Sequence, residues 1–109
     1  MSIDIKILSL YDEAVNRIDG LKRKGKTVPY TSANGYMFSI LNKENQLGIR
    51  LSKDEQAKFK SIYDSGIFMS HGAVMRDYVL VPESMLTDSE LLAKYIKMSW
   101  NFVNTLPPK

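Results

Sequence analysis

The sequence predicts an α+β domain in which an antiparallel sheet packs with helices. Apolar residues recur at helical spacing near both ends of the chain, and the middle of the chain contains runs typical of strands. The connections between these runs are too short to carry the crossover that parallel strands need. The predicted order is α-β-β-β-α-β-β-α, a two-layer arrangement with about five strands in the sheet.

A first helix is predicted near the amino terminus. Ser9 followed by Asp12 provides an N-terminal cap if the helix begins late. Gly20 and the basic segment 22–25 are poor continuations, so the helix is expected to end there. The prediction depends on apolar residues at steps of three and four: Leu8, Tyr11, Val15, Ile18 and Leu21.

The middle of the chain reads as three consecutive antiparallel strands. Two β-rich runs flank Asn34-Gly35, a dipeptide that accepts positive φ angles and suits a tight hairpin. The run 36–41 is apolar on both faces, as expected of a strand covered on part of each side. After the polar turn 42–45, residues 47–51 alternate between apolar and polar or small, which indicates one wet face.

A short second helix and a second hairpin follow. Ser52 and Glu55 have the spacing of a capping box, and Gly66 is expected to stop the helix they begin. Residues 67–69 form a brief predicted strand, and Met75 to Val81 form the longer partner strand. The proline that follows Val81 ends that strand.

The carboxyl-terminal segment is predicted to be an amphipathic helix. Thr87 and Glu90 repeat the capping-box spacing, and apolar residues continue at steps of three and four from Leu92 onward. Pro107-Pro108 ends the helix.

Length and composition limit the class of protein. The 109 residues fit one domain, residues 1–109, and 44% hydrophobic with 25% charged residues is typical of a soluble globular chain. The lack of cysteine excludes disulfides, thiolate catalysis and cysteine-ligated metals. No segment resembles a secretory signal, and none approaches the roughly 18 apolar residues of a membrane span. We therefore expect a cytoplasmic protein with no membrane partner.

Catalytic chemistry is not predicted. The single histidine, His71, falls in a turn without a nearby ligand or nucleophile, which favours a turn-capping or solvated role. The acidic pairs 12–13 and 54–55 lie in the opening turns of predicted helices, where carboxylates interact with the helix dipole. No calcium loop, zinc pair or phosphate loop is found, so we predict a non-enzyme without cofactor or metal.

A basic cluster provides the candidate nucleic-acid contact. The formal net charge is +3, and four cations fall within five positions. Such a cluster can neutralise phosphates, although a solvated loop is the interpretation favoured here because no aromatic residues interleave with the lysines. The cluster consists of Lys22, Arg23, Lys24 and Lys26.

The candidate partner surface is formed by Trp100 and Met85. Trp100 points away from the apolar stripe of the last helix by helical-wheel arithmetic, and exposed aromatics are enriched at interface hot spots. The alternative is that Trp100 packs against the sheet edge or the first helix. The sequence also allows a homodimer through a sheet edge.

The run GAVMRDYVLVPESMLTDSELLAKYIKMSWNFVNTLPPK resembles the end of the TfoX/Sxy amino-terminal domain family. Upstream, Gly35-Tyr36-Met37-Phe38 and the run 47–52 are similar to two strands of the family, so the resemblance spans roughly Ser9 to Lys109. The related YjbR-like domains remain an alternative. The matching positions are Gly72, Met75, Tyr78, Val79, Pro82, Leu86, Asp88, Ser99, Trp100, Leu106, Pro107, Pro108 and Lys109.

The resemblance implies a two-layer α+β fold with antiparallel strands. It also implies a role accessory to transcription, because named members of the family act with the cyclic-AMP receptor protein to switch on competence genes. We therefore predict a non-enzymatic protein-interaction module, with nucleic-acid binding through the basic cluster as the alternative.

Overall fold

The computed structural model describes residues 3–63, 65–70 and 72–109, and His71 therefore lies outside the described residues. The α+β class is confirmed. The helices of the described part of the chain are α1 (Ile5–Asn16), α2 (Lys53–Ile62), α3 (Glu83–Leu86) and α4 (Ser89–Asn104). Its strands are β1 (Tyr30–Ala33), β2 (Tyr36–Leu41), β3 (Leu47–Arg50), β4 (Met69–Ser70), β5 (Ala73–Val74) and β6 (Tyr78–Leu80).

The strands form two antiparallel sheets instead of one sheet of about five strands. Within the described residues, the main sheet has the order β1-β2-β3-β6, and β4 pairs only with β5. The predicted strand from Met75 to Val81 is interrupted, because the Tyr78 amide donates to the Met75 carbonyl at 3.1 Å and closes a turn at residues 76–77. This turn separates the small hairpin, β4–β5, from the last strand of the main sheet.

The helix boundaries show which capping predictions hold. The Ser52 hydroxyl accepts from the Glu55 amide at 3.2 Å, as predicted for α2. In α1 the cap is Asp4, whose carboxylate accepts from the Lys6 amide, so this helix begins and ends earlier than expected. In α4 the cap is Asp88 and not Thr87.

A β-bulge in β2 turns two consecutive side chains toward the helices. Thr31 pairs with Ser39 and Ser32 pairs with Met37, so Phe38 is the extra residue. Phe38 and Ser39 are both fully buried. The Ser39 hydroxyl hydrogen-bonds to the hydroxyls of Thr31 and of Tyr11 in α1, which satisfies these buried polar groups. Beyond the bulge, Met37 faces the opposite side of the sheet and is 41% exposed.

The inner face of the sheet packs against the helices. The main core includes buried residues of α1, α2, α3 and α4 together with the inward residues of β2, β3 and β6. The largest fully buried side chains of this core include Tyr11, Phe38, Phe59, Leu92 and Ile96.

The outer face carries a second, smaller core under the segment that leads to the small hairpin. Phe68 is 1% exposed, and its ring lies on Gly48 of β3, where an added Cβ would come within 2.5 Å of ring atoms. The Phe68 ring also stacks on Tyr78 at 5.9 Å between centroids, and Ile40 completes the buried set. Glycine at position 48 therefore allows the aromatic ring to seat directly on the strand.

The end of α4 and the residues after it are hydrogen-bonded to the β1–β2 turn. The Asn34 side-chain amide donates to the carbonyls of Val103 and Leu106 at 2.9 and 2.8 Å, which satisfies acceptors at the end of α4. The Tyr36 hydroxyl donates to the Pro107 carbonyl at 2.6 Å. Gly35 has φ +84°, and a Cβ there would lie 2.6 Å from the Lys109 Cβ. The tail therefore forms part of the folded domain.

Because Tyr78 and Tyr11 are buried, we expect the protein to lose stability at alkaline pH. Burial raises the pKa of Tyr78 to about 12 from 10.0, against a smaller lowering by Arg50, and burial also raises the pKa of Tyr11. Below pH 10 both folded and unfolded states are protonated and the full stability is present. As pH rises from 10 toward 12 the unfolded state loses its proton first, so ionisation at Tyr78 should lower the free energy of unfolding with a slope that approaches about 1.4 kcal/mol per pH unit only near the middle of this range. Denaturant unfolding at several pH values measures this slope.

The control for this prediction is the variant Tyr78→Phe, which has no proton to lose at that position. The variant also lacks the hydrogen bond to the Met37 carbonyl, so its stability at neutral pH should be lower. Its loss of stability between pH 10 and 12 should nevertheless be shallower than that of the wild type. Identical slopes for the two proteins would contradict the prediction.

Candidate partner-binding surface

Met85 does not lie on a surface, which corrects the prediction that it contributes to a partner site. Met85 is 1% exposed and belongs to the main core. The short helix α3 contacts both α1 and α4, and this position encloses the Met85 side chain. In the sequence Met85 is one of several apolar residues near the carboxyl end, and its spacing does not show that α3 turns its side chain inward.

Trp100 is half-buried and packs against the main sheet. Its ring lies parallel to Phe38, with centroids 6.5 Å apart, and its outer side is approached by the Lys97 ammonium at 5.4 Å from the ring centroid. A Cβ at Gly20 would be 3.8 Å from the indole ring. Trp100 thus joins α4 to the sheet and to the loop after α1, and only part of the indole is available to a partner.

One member of the basic cluster, Arg23, is engaged in an ion pair, and the other three form none with the residues that the structure describes. Arg23 is half-buried, forms a salt bridge to Asp12 of α1 and donates to the Gly25 carbonyl at 3.2 Å. The three lysines of the cluster are exposed, and the Lys24 ammonium lies 3.3 Å from the Ser32 hydroxyl. Arg23 is therefore engaged in holding the loop on α1, and nucleic-acid binding by the remaining cations, Lys22, Lys24 and Lys26, stays a prediction.

The exposed apolar side chains concentrate on the small hairpin, on the segment just before it and on β2. Among the described residues, six large hydrophobic side chains are exposed, and four of them lie in this region. Met69 pairs with Val74 across the hairpin, and Val74 shares a groove with Met37. Ile67 precedes Met69 by two positions, and both are exposed whereas Phe68 between them is buried. We call this set the hairpin surface: Met37 (41% exposed), Ile67 (70%), Met69 (44%) and Val74 (50%).

One end of the hairpin surface opens into a groove of about 430 Å³. Met37 and Val74 belong to its apolar wall, and three cationic side chains also line it. Asp77 contributes the carboxylate of the lining. We call it the cationic groove after Arg50, Arg76 and Lys109.

Arg50 is the most enclosed cation of the groove, with a side chain 23% exposed. A terminal guanidinium nitrogen lies 3.6 Å from an Asp77 carboxylate oxygen, and the guanidinium carbon lies 5.3 Å from the centroid of the Tyr36 ring. Its Nε is buried and has no acceptor among residues 3–63, 65–70 and 72–109. The Lys109 ammonium approaches the same Tyr36 ring at 5.1 Å. The guanidinium is thus held in place with part of its hydrogen-bonding capacity unused.

A larger groove of about 660 Å³ lies near the start of α1. Two polar groups of its lining are already engaged: the Asp4 carboxylate caps α1, and the Asp4 amide donates to the Asn45 side chain at 2.7 Å. Asp4, Glu44 and Glu83 at its rim are exposed and solvated. This arrangement is explained by helix capping and turn formation.

The edges of the main sheet are partly closed. At the β6 edge, the Ser65 hydroxyl donates to the Leu80 carbonyl at 2.8 Å and accepts from the Leu80 amide at 3.2 Å. At the β1 edge, Lys24 exchanges both backbone hydrogen bonds with Tyr30. An added strand would have to displace these contacts, so a homodimer through a sheet edge stays a prediction with an added cost.

Comparison with known proteins provides no family for the chain: no family model, curated protein or solved structure matches it. The resemblance to the TfoX/Sxy family stays a prediction. Among the described residues, no helix has the length and apolar character needed to cross a bilayer. In the same part of the chain, no three carboxylate or imidazole side chains come together as metal ligands.

Sequence reasoning missed the hairpin surface. Residues 67–69 were predicted as a brief strand, and a run of three consecutive apolar residues does not show which of its side chains are covered. The signal that could have found the surface is the placement of three large apolar residues, Ile67, Met69 and Val74, beside turn residues in a segment too short to bury both faces.

Proposed function

We propose that this domain is a non-enzymatic protein-interaction module and that it binds a partner protein through the hairpin surface. The observation that carries the proposal is the concentration of exposed apolar side chains at one place, next to a cationic groove. Contiguous exposed apolar patches on small soluble domains mark sites of interaction, whereas scattered single residues do not.

The chemistry of the hairpin surface suits a protein partner. Two of its four side chains are methionines, Met37 and Met69, which are unbranched and adapt to irregular apolar partners. Met69 directly follows the buried Phe68 in the chain, so this part of the surface is next to a packed core. The resemblance to the TfoX/Sxy family supports a partner in transcription regulation, and the identity of the partner tests that part of the proposal.

The test compares partner capture by variants of the hairpin surface. Met69→Ser and Val74→Ser remove apolar area from exposed positions, so their stability should stay within about 0.5 kcal/mol of the wild type. A protein that the wild-type domain captures from lysate should bind the double variant, Met69→Ser with Val74→Ser, at least about tenfold more weakly. The reason is that central apolar contacts dominate interface energies. The captured protein is then purified, and its direct binding is measured by calorimetry.

The matched control is Ile5→Ser. Ile5 is 79% exposed and lies on α1, which packs on the inner face of the sheet. This control loses a similar apolar side chain from a different surface and should bind the purified partner like the wild type. Equal binding by the wild type and the double variant of Met69 and Val74 would refute the proposal, and so would equal losses for that variant and the control.

A further inference from the structure

We infer that the cationic groove receives a carboxylate of the partner, so that the segment bound is acidic as well as apolar. The inference rests on the proposed function, because the groove and the hairpin surface share Met37 and Val74. An apolar side chain on the hairpin surface and an acidic side chain in the groove would then belong to one bound segment.

The charges of the groove support an anionic ligand. Arg50, Arg76 and Lys109 line it, against Asp77 as the one acidic side chain among its described lining residues. The separation of 3.6 Å between Arg50 and Asp77 is longer than the roughly 2.7–2.9 Å of a charge-assisted hydrogen bond. Asp77 therefore leaves much of the guanidinium's hydrogen-bonding capacity unused, and an incoming carboxylate can take up terminal N–H groups in a geometry that arginine favours.

The lining of the groove favours a protein segment over a nucleic-acid strand. Binding of single strands uses free aromatic faces on which bases stack. Here the Tyr36 ring is already approached by Arg50 and Lys109, and the Tyr78 ring is 8% exposed and stacked on Phe68. The apolar side chains that remain accessible are aliphatic or thioether groups, which match leucine-like and methionine-like partners.

Changing Asp77 should alter the affinity for an acidic segment, an effect that a purely structural role would not produce. Its carboxylate lies in the same groove and repels an incoming anion, while its side chain is 54% exposed and contributes little to stability. Removing this charge with Asp77→Asn should therefore strengthen the binding of an acidic segment. Removing the exposed cation with Arg76→Gln should weaken it.

The experiment uses two synthetic peptides as probes and measures fluorescence anisotropy at low salt. One peptide alternates glutamate with leucine, and the other has glutamine at every glutamate position. The wild-type domain should bind the glutamate peptide at least about fivefold more tightly, the value of one moderately exposed ion pair. Arg76→Gln should weaken the glutamate peptide by about threefold to fivefold, and Asp77→Asn should tighten it by a similar factor. Neither variant should change the binding of the glutamine peptide.

The matched control is Lys94→Gln, which removes one positive charge from the exposed face of α4, on the other side of the sheet. It should bind both peptides like the wild type. A loss equal to that of Arg76→Gln would show that net charge alone attracts the peptide and would overturn the inference.

The outcomes separate this inference from the proposed function. If both peptides bind equally and Val74→Ser weakens both, the carboxylate site is refuted while the hairpin surface stands. Absence of binding by the glutamate peptide at low salt also refutes the carboxylate site, and the capture experiment still decides the proposed function. A single-stranded DNA that displaces the glutamate peptide at similar concentration, and that requires Arg76, would assign the groove to nucleic acid instead.

Discussion

Replacing Phe68 with alanine is expected to lower the free energy of unfolding by about 3–5 kcal/mol. Phe68 is 1% exposed, and its ring fills the space between Gly48 and Tyr78 on the outer face of the sheet. Few other side chains are buried on this face, so the surrounding segment has little with which to close the cavity. Denaturant unfolding followed by circular dichroism measures the loss.

The variant Gly48→Ala tests the direct seating of this ring on the strand. In the wild type the new Cβ would lie 2.5 Å from atoms of the Phe68 ring, so the ring must move, at a cost of about 1–3 kcal/mol. In the Phe68→Ala background the same Cβ enters vacated space, and the glycine-to-alanine change should be neutral or stabilising by about 0.5 kcal/mol. The two substitutions should therefore be strongly non-additive. Equal costs of Gly48→Ala in both backgrounds would show that the ring does not rest on Gly48.

Phe68 also lies between two residues of the hairpin surface in the chain, Ile67 and Met69. Met69 in turn pairs with Val74, so a loss of packing at Phe68 should disturb three residues of the hairpin surface. A folded Phe68→Ala protein is consequently expected to bind the partner less well than Ile5→Ser, even when both are compared well below their unfolding transitions. This result would connect the outer core to the proposed function without changing any residue that touches the partner.

Local signals in the sequence predicted the fold class and much of the element order. Asn34-Gly35 marked the first hairpin, and Ser52 with Glu55 marked the start of α2, because turns and caps depend on residues a few positions apart. The bulge at Phe38 and the break before Tyr78 were not predicted. Both depend on contacts made after the chain has folded, and residue spacing carries no information about them.

The candidate site was predicted less well than the fold for the same reason. The basic cluster is contiguous in sequence and was found, but the salt bridge that holds Arg23 joins it to Asp12 on another element. The cationic groove combines residues from β2, β3, the turn before β6 and the end of the chain. No pair of its cations is close in sequence, so no motif marks it: Arg50, Arg76 and Lys109.

Ser99 is a polar residue on the buried face of α4, and its hydroxyl hydrogen-bonds to the sheet. The β2–β3 ladder ends at the pair Ser39 and Ile49, next to the bulge residue Phe38. The Ser99 hydroxyl, fully buried, lies 3.1 Å from the Phe38 carbonyl and within hydrogen-bonding distance of the Arg50 carbonyl. Its single hydrogen is shared between these two backbone acceptors.

Ser99→Ala is therefore expected to lower the free energy of unfolding by about 1–3 kcal/mol, since it leaves buried carbonyls without a donor. The higher helix propensity of alanine offsets about 0.5 kcal/mol of this loss. Ser61→Ala is the matched control, because Ser61 lies exposed on α2 and its hydroxyl donates to the Lys58 carbonyl at 2.7 Å beside water. Its stability should stay within about 0.5 kcal/mol of the wild type. If the two serine variants are equally stable in denaturant unfolding, the carbonyls of Phe38 and Arg50 do not depend on the Ser99 hydroxyl. Ser99 then does not stabilise the packing of α4 on the sheet.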